Sequence, residues 1–464
     1  MNLSPALRPT GPVPTDRQLA WHRLELYGFI HFTVNTFTDK EWGYGDESPS
    51  TFNPSAFDAD QIVETAARGG LKGLILTCKH HDGFCLWPTR TTAHSVASSA
   101  WQNGTGNAVK AVSEACARHG LKFGAYLSPW DRNNPAYGTP DYLSLYRRQL
   151  TELMSDFGPL FEVWFDGANG GDGYYGGARE KRSIDPQTYY DWETTWALVR
   201  ERQPQACMFS DVGPDIRWVG NEQGFAGDPC WSTMSTSGFA PGLADTKVLN
   251  RGQRDGDNWL PAEVDVSIRP GWFYHAAEDD RVRTPDNLLD LYFKSVGRGA
   301  SLLINLPPDR RGLIHDADRN SLIEFKRRLD ALLAVNLASG ATLEGAALAG
   351  DTRYAPGRLV DGQPDTFWCP GDHQPAEVLL TFPQPIRFGL VGLREHLPLG
   401  QRVDAFAVDA WDGAGYREVV AAEAIGNRRL LRIPTITTNR VRLRILKSTG
   451  CPALTEFSLH PGES

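Results

Sequence analysis

At 464 residues the chain is too long for one ordinary core, so two domains are expected. Hydrophobic residues at 41% and charged residues at 22% exclude a disordered chain, while 14 Trp, 14 Tyr and 21 Phe exceed what a core needs and suit stacking on sugar rings or bases. A net charge of −9 without a Lys/Arg run decides against bases: no phosphate backbone would be attracted, so nucleic acid is excluded and a neutral ligand is favoured.

The first stretch, Met1 to Pro14, is Pro-rich and has no apolar run, so neither a signal peptide nor a membrane span is expected from it. A cytoplasmic protein and one trimmed of its leader would read alike. From about residue 25 to residue 335, apolar runs of strand length alternate with helix-period segments. Expected strands are 26–32, 71–78, 121–127, 161–165, 206–211, 263–268 and 301–306. Amphipathic segments 59–67, 107–118 and 142–156 lie between them, each followed by a Gly suited to a C-cap. The pattern predicts an irregular (β/α)8-like barrel over 1–338, with chemistry on the loops after the strand C-termini. A helix over 321–335 closes it. Beyond, short alternating runs at 377–382, 388–393, 405–410, 430–433 and 441–445 predict an antiparallel β-sandwich over 339–464. Seven Cys are scattered through both parts without a C-x-x-C pair, which reads as mostly reduced thiols and gives neither a zinc knuckle nor a redox motif.

Three expected strand ends carry polar clusters: His31 with Glu41 and Trp42; Lys79, His80, His81 and Asp82; and Trp164 with Asp166. On a barrel these converge on one rim, although any one of them alone would read as a helix cap or a satisfied loop residue. Three His and a carboxylate also raise a metal centre. Against it, adjacent His80 and His81 would diverge on extended backbone, so no metal and no cofactor is expected.

Asp166 ends an apolar strand, shares a face with Trp164, and is followed by Gly167, where a ligand would approach the backbone. A retaining glycosidase needs a second carboxyl about 5 Å from the first, one attacking and one protonating. Asp211, Asp215, Glu222, Glu263 and Asp265 are the candidates. Glu222 lies in a Gly-containing loop with Trp218, whereas Glu263 and Asp265 begin a strand and suit salt bridging, for example to Arg269. On these grounds Glu222 is narrowly preferred and Glu263 stays open.

These residues resemble glycoside hydrolase family 29, the α-L-fucosidases. The likeness rests on His31-Phe32-Thr33-Val34-Asn35-Thr36-Phe37 with Glu41-Trp42-Gly43, Cys78-Lys79-His80-His81-Asp82-Gly83-Phe84, Tyr126-Leu127-Ser128-Pro129-Trp130 and Val163-Trp164-Phe165-Asp166-Gly167, in the family's order. The resemblance implies that Asp166 is the nucleophile and that His31, Glu41, Trp42, His80, His81, Tyr126 and Trp164 line a fucose subsite, each with a packing role as its alternative. Trp272 is implied as an apolar wall against the fucose methyl. The segment Trp218-Val219-Gly220-Asn221-Glu222 is similar to the subfamily acting on α-1,3- or α-1,4-linked fucose and nominates Glu222 as the acid. The implied partner is a fucosylated glycan, with no membrane involved. The rival readings are a non-catalytic lectin on a hydrolase-like barrel and a metal-dependent barrel hydrolase.

Two features stand apart. The Gly- and Tyr-rich insertion 167–182 after the nucleophile strand reads as either a mobile lid or a surface loop. The tail segment Arg358 to Trp368 resembles discoidin-like or carbohydrate-binding modules, in which Asp361 and Asp365 would hold either a calcium ion or, more commonly, a hydrogen-bonded turn.

Overall fold

The computed structural model describes residues 4–371 and 376–462, so the first three residues of the Pro-rich N-terminal stretch lie outside it. Eight parallel strands close a barrel in chain order: Leu26–Ile30, Gly73–Lys79, Lys122–Leu127, Leu160–Trp164, Cys207–Ser210, Ile216–Trp218, Ala262–Ser267 and Ser301–Asn305. Alternation along the first strand sets the layers: Leu26 and Ile30 face the surrounding helices, and Tyr27 and Phe29 fill the interior with Ile75, Tyr126, Trp164, Phe209 and Leu303. Trp21, from the helix Asp16–His22, joins this inner cluster.

Seven of these strands match the expected runs. The sixth, Ile216–Trp218, was expected to be loop, and only residues 211–215 separate it from the fifth strand. Three residues hemmed in by Gly213-Pro214 and Gly220 are too short to show a period. Helix ends follow local chemistry. Asp58 caps Ala59–Arg68 by accepting from the Asp60 and Gln61 amides, and Asn107 caps Ala108–His119, which stops at Gly120. Pro140 starts the third helix two residues before the amphipathic pattern does, since proline suits a first helical turn. The closing helix runs Asp316–Leu333. Among the described residues no helix is long and apolar enough to cross a membrane.

The C-terminal part is a six-stranded antiparallel sheet in the order Thr342–Gly345, Glu377–Glu395, Arg429–Ser448, Val403–Trp411, Tyr416–Glu423, with Leu454–His460 also paired to Glu377–Glu395. Two pairs of expected short strands are each one long strand here. The 377–382 and 388–393 runs join through register shifts that let Glu377–Glu395 stay paired to Arg429–Ser448 along its length. This sheet has its own core, including Trp368, Phe388, Phe406, Leu443 and Phe457. It is also bonded to the barrel: Glu25 sits between Arg394 (2.6 Å) and Arg428 (2.9 Å), Arg429 meets Asp228 at 2.6 Å, and the Ser232 amide donates to Gln401 at 2.8 Å. Asp361 accepts from the Gln363 amide and the Thr366 hydroxyl, and Asp365 pairs with Arg23, so the hydrogen-bonded turn is the arrangement found.

Candidate active site

Asp166 follows the fourth strand directly, and its two oxygens are separately held. The Ala168 amide donates to Oδ1 at 2.7 Å and the Tyr126 hydroxyl to Oδ2 at 2.9 Å. Burial pushes this carboxyl above the usual range, and those two donors pull it back. A side chain at Gly167 would strike the Asp211 carboxylate at 2.4 Å, so Asp211 needs the open backbone there. Asp211 in turn accepts from the Gly242 amide at 2.7 Å, and burial raises it to about 6.

Three imidazoles gather beside Asp166. The His31 Nδ1 lies 2.9 Å from Asn305 Oδ1, while Asn305 Nδ2 donates to Ser267 Oγ and to the Trp272 carbonyl. That network puts the His31 proton on Nδ1 and leaves Nε2 as an acceptor. The same logic applies to His81, whose Nδ1 meets a Ser128 hydroxyl that already donates to the Trp130 carbonyl. His81 Nε2 stands 3.8 Å from Asp166 Oδ2, too far for a hydrogen bond. His80 Nδ1 is buried and has no partner. Burial lowers His31 and His81 to about 3 and His80 well below its usual value, so all three rings are neutral at ordinary pH.

The expected divergence of His80 and His81 is corrected. Their ring centroids are 4.1 Å apart, because the backbone leaves the strand at Lys79 and turns, with Gly83 donating to the His80 carbonyl. Gly83 has φ +80°, and a Cβ would meet Asp131 at 2.4 Å, so the turn demands glycine. Among the described residues, no group of three His, Cys, Asp or Glu side chains is placed to hold a metal ion. Lys79 and Asp82 leave the cluster. Lys79 is buried against Asp131, Tyr142 and Gln149, and Asp82 accepts from the Phe84 amide and Thr33.

Aromatic rings form the floor and walls. Trp164 stacks on Phe209 at 4.0 Å and on Tyr126 at 5.3 Å, and it is nearly buried. Trp272 leans over His31 at 5.2 Å. Trp42 is 54% exposed and meets His81 and Trp130 edge-on at 5.2 and 5.5 Å, the one ring here open enough to form a lip. Glu41 acts as a clamp: it accepts from the Trp272 and Phe273 amides and lies 2.6 Å from His275 Nε2.

The two rival acids separate clearly. Glu222 lies at the rim, accepts from Trp272 Nε1 at 3.2 Å, and is raised by burial and further by the nearby charges of Asp166 and Glu41. Glu263 is under the floor, with one oxygen taken by Trp164 Nε1 at 2.7 Å and the other by Tyr27. It also faces Glu162, which Trp21 bonds from beneath. The expected salt bridge to Arg269 does not form. Arg269 pairs with Asp318 and Asp279, and Asp265 accepts from Trp218 Nε1. Asp215 is bound by Arg17 and Arg200.

Asn305, Ser128, Trp130 and His275 belong to this constellation without having been picked out as site residues. Asn305 carried a usable signal, an amide ending the apolar run Leu302-Leu303-Ile304; the others become visible only through their partners. Within the 167–182 insertion, Gly171–Gly173 pairs with Glu180–Arg182 as a hairpin. Tyr175 is buried beneath it and accepts from Trp130 Nε1 at 3.0 Å, and Arg182 donates to the Pro135 and Tyr137 carbonyls.

Comparison with known proteins agrees along the whole chain. The family model described as Alpha-L-fucosidase matches residues 16–330. "Alpha-L-fucosidase 1" of Arabidopsis thaliana is 38% identical over 465 residues, covering 99% of this chain and 89% of its own. A glycoside hydrolase 29 family member from an unknown rumen bacterium superposes with a TM-score of 0.89 at 39% identity, covering 98% of this chain and 78% of that one. A Ruminococcus gnavus GH29 fucosidase in complex with fucose gives 0.87 at 30% identity over 100% and 97% of the two chains.

Proposed function

Since the chain belongs to the α-L-fucosidases of glycoside hydrolase family 29, we propose that Asp166 is its nucleophile and Glu222 its acid and base, releasing fucose with retained configuration. Glu222 gives its proton to the glycosidic oxygen as an Asp166 oxygen attacks the anomeric carbon, and the aglycone leaves. Glu222, now a carboxylate, takes a proton from water, whose oxygen displaces Asp166. The observation that carries this reading is the contrast between the two glutamates. Glu222 is at the rim with a single indole donor and feels the Asp166 charge, whereas both oxygens of Glu263 are committed below the floor. Burial and the nearby Asp166 and Glu41 charges shift Glu222 upward, the direction that favours the protonated form an acid needs.

Neutral His31, His80 and His81 offer nitrogen to sugar hydroxyls without the cost of burying a charge, and Trp272, Trp164 and Tyr126 supply apolar faces for the ring and methyl. Trp42 and Glu41 complete the mouth, Trp42 by contact and Glu41 by holding the 272–275 turn. We assign the preference to α-1,3- and α-1,4-linked fucose, on the similarity of the Trp218 to Glu222 segment. Lewis-type trisaccharides should therefore be cleaved at least about tenfold faster than an α-1,2-linked fucoside, a difference of about 1.4 kcal/mol in transition-state binding; equal rates would remove the linkage assignment and leave the carboxyl roles standing.

The roles themselves are tested by leaving group. Glu222→Ala should lose far more activity on natural glycans than on an aryl fucoside whose departure needs little protonation. Loss of the same size on both would transfer the acid role to another carboxyl.

A further inference from the structure

Two thiols that the sequence leaves 82 positions apart face each other in the C-terminal sheet, with Cys369 Sγ and Cys451 Sγ separated by 2.9 Å. Their backbones are locked in place. Trp368 and Leu454 form an antiparallel bridge, with the Trp368 amide donating to the Leu454 carbonyl at 2.8 Å and the return bond at 3.1 Å. Cys369 is held further by its own amide, which donates to the Tyr354 carbonyl. Cys369 is buried, and Cys451 is partly open to solvent. The Arg402 guanidinium fixes the Cys451 turn from the other side, donating to the Cys451 carbonyl at 2.8 Å and also to the carbonyls of Ala6 and Arg8 in the N-terminal arm.

We propose that Cys369 and Cys451 are a site of covalent cross-linking, forming a disulfide by exchange with a small-molecule disulfide such as oxidised glutathione. The Cys451 thiolate attacks one glutathione sulfur, forming a mixed disulfide and releasing a first glutathione thiolate. The Cys369 thiolate then attacks Cys451 Sγ and expels the second. Two protein thiols are oxidised, one glutathione disulfide is reduced, and the two thiol protons end on the two released glutathiones. The cross-link closes a loop from the turn after Trp368 to the turn that anchors the N-terminal arm. It therefore restricts the unfolded chain and not the folded one.

The neighbouring Cys369 thiol and burial both hold Cys451 protonated, so the exchange is run at mildly alkaline pH. Full-length protein is incubated with oxidised glutathione, denatured, its thiols counted, and a non-reducing digest analysed by mass spectrometry. The seven thiols should fall to five, with one peptide pair joined through Cys369 and Cys451. A phosphine reductant should then lower the melting temperature of the oxidised protein by about 5 °C, and should not change that of Cys451→Ser treated in the same way. Seven remaining thiols, glutathione retained on Cys451, or a link through other cysteines would each overturn the proposal. Cys451→Ser replaces the more exposed thiol, so the comparison survives even if Cys369→Ser fails to fold.

Discussion

Asp166, the proposed nucleophile, has two donors, the Ala168 amide and the Tyr126 phenol, and only the phenol is a side chain. Tyr126 donates to Asp166, and this bond favours the ionised carboxylate against the burial that raises it. Tyr126→Phe removes the donor while keeping the ring that stacks on Trp164. Losing a hydrogen bond to a charged group costs about 1.5–3 kcal/mol, so kcat should fall by about 10- to 100-fold. The sign of the pH effect follows. Without the donor the Asp166 pKa rises further, and the acidic limb of the kcat/KM profile moves to higher pH. An unmoved limb in a folded Tyr126→Phe protein would show that Tyr126 does not set the nucleophile's charge. Asp166 and the three His were legible in the sequence because they stand at or just past strand ends, where barrel geometry fixes what they face, whereas Tyr126 entered only through the family resemblance. The roles of Glu41 and Glu263 were not legible. Each is defined by its partners (the Trp272 and Phe273 amides and the His275 ring for one, Trp164 and Tyr27 for the other), and those lie far away in sequence.

At the scale of elements, the long strands and amphipathic helices announced themselves by period, whereas the three-residue strand Ile216–Trp218 and the fused strands of the C-terminal sheet did not. Both misses come from sheet pairing, a non-local choice that a linear pattern does not encode. The insertion hairpin shows the same limit. Its glycines suggested mobility, but Tyr175 anchors it by donating to the Gly171 carbonyl and accepting from Trp130. Tyr175→Phe leaves Trp130 Nε1 buried without its acceptor and should destabilise the protein by about 1–3 kcal/mol in chemical denaturation. Because Trp130 also packs against His81 and Trp42, KM for glycans should rise as well. Unchanged stability and KM would mean that the hairpin only decorates the rim.

Across the whole molecule, barrel and sheet are tied by charge as well as by packing. Leu390 and Leu430 of the sheet join the barrel's outer core, and Glu25 is enclosed by Arg394 and Arg428. These two cations hold Glu25 below the usual carboxylate range despite its burial. Glu25→Gln removes the carboxylate shared by the two guanidinium groups, while Arg394 keeps Glu456 and Arg428 keeps the Tyr292 hydroxyl, so the cost should be about 3 kcal/mol, the low end for breaking a buried ion cluster. The linkage has a defined sign. A depressed folded-state pKa stabilises above the unfolded value, near 4.5, and that stability is lost as pH falls through the folded value. The gap between wild type and Glu25→Gln should therefore be full at neutral pH and shrink under acid. A gap independent of pH would place the cost in packing instead.

In the proposed reaction one carboxylate becomes covalently bonded to the sugar. A 2-fluoro-fucosyl fluoride, whose C2 fluorine slows both displacements while its good leaving group restores the first, should stall the protein as a glycosyl-enzyme. After peptic digestion, mass spectrometry should find the added fluorofucosyl mass on the peptide carrying Asp166. The same mass on the peptide carrying Glu222, or on any other carboxylate, would rule out Asp166 as the nucleophile.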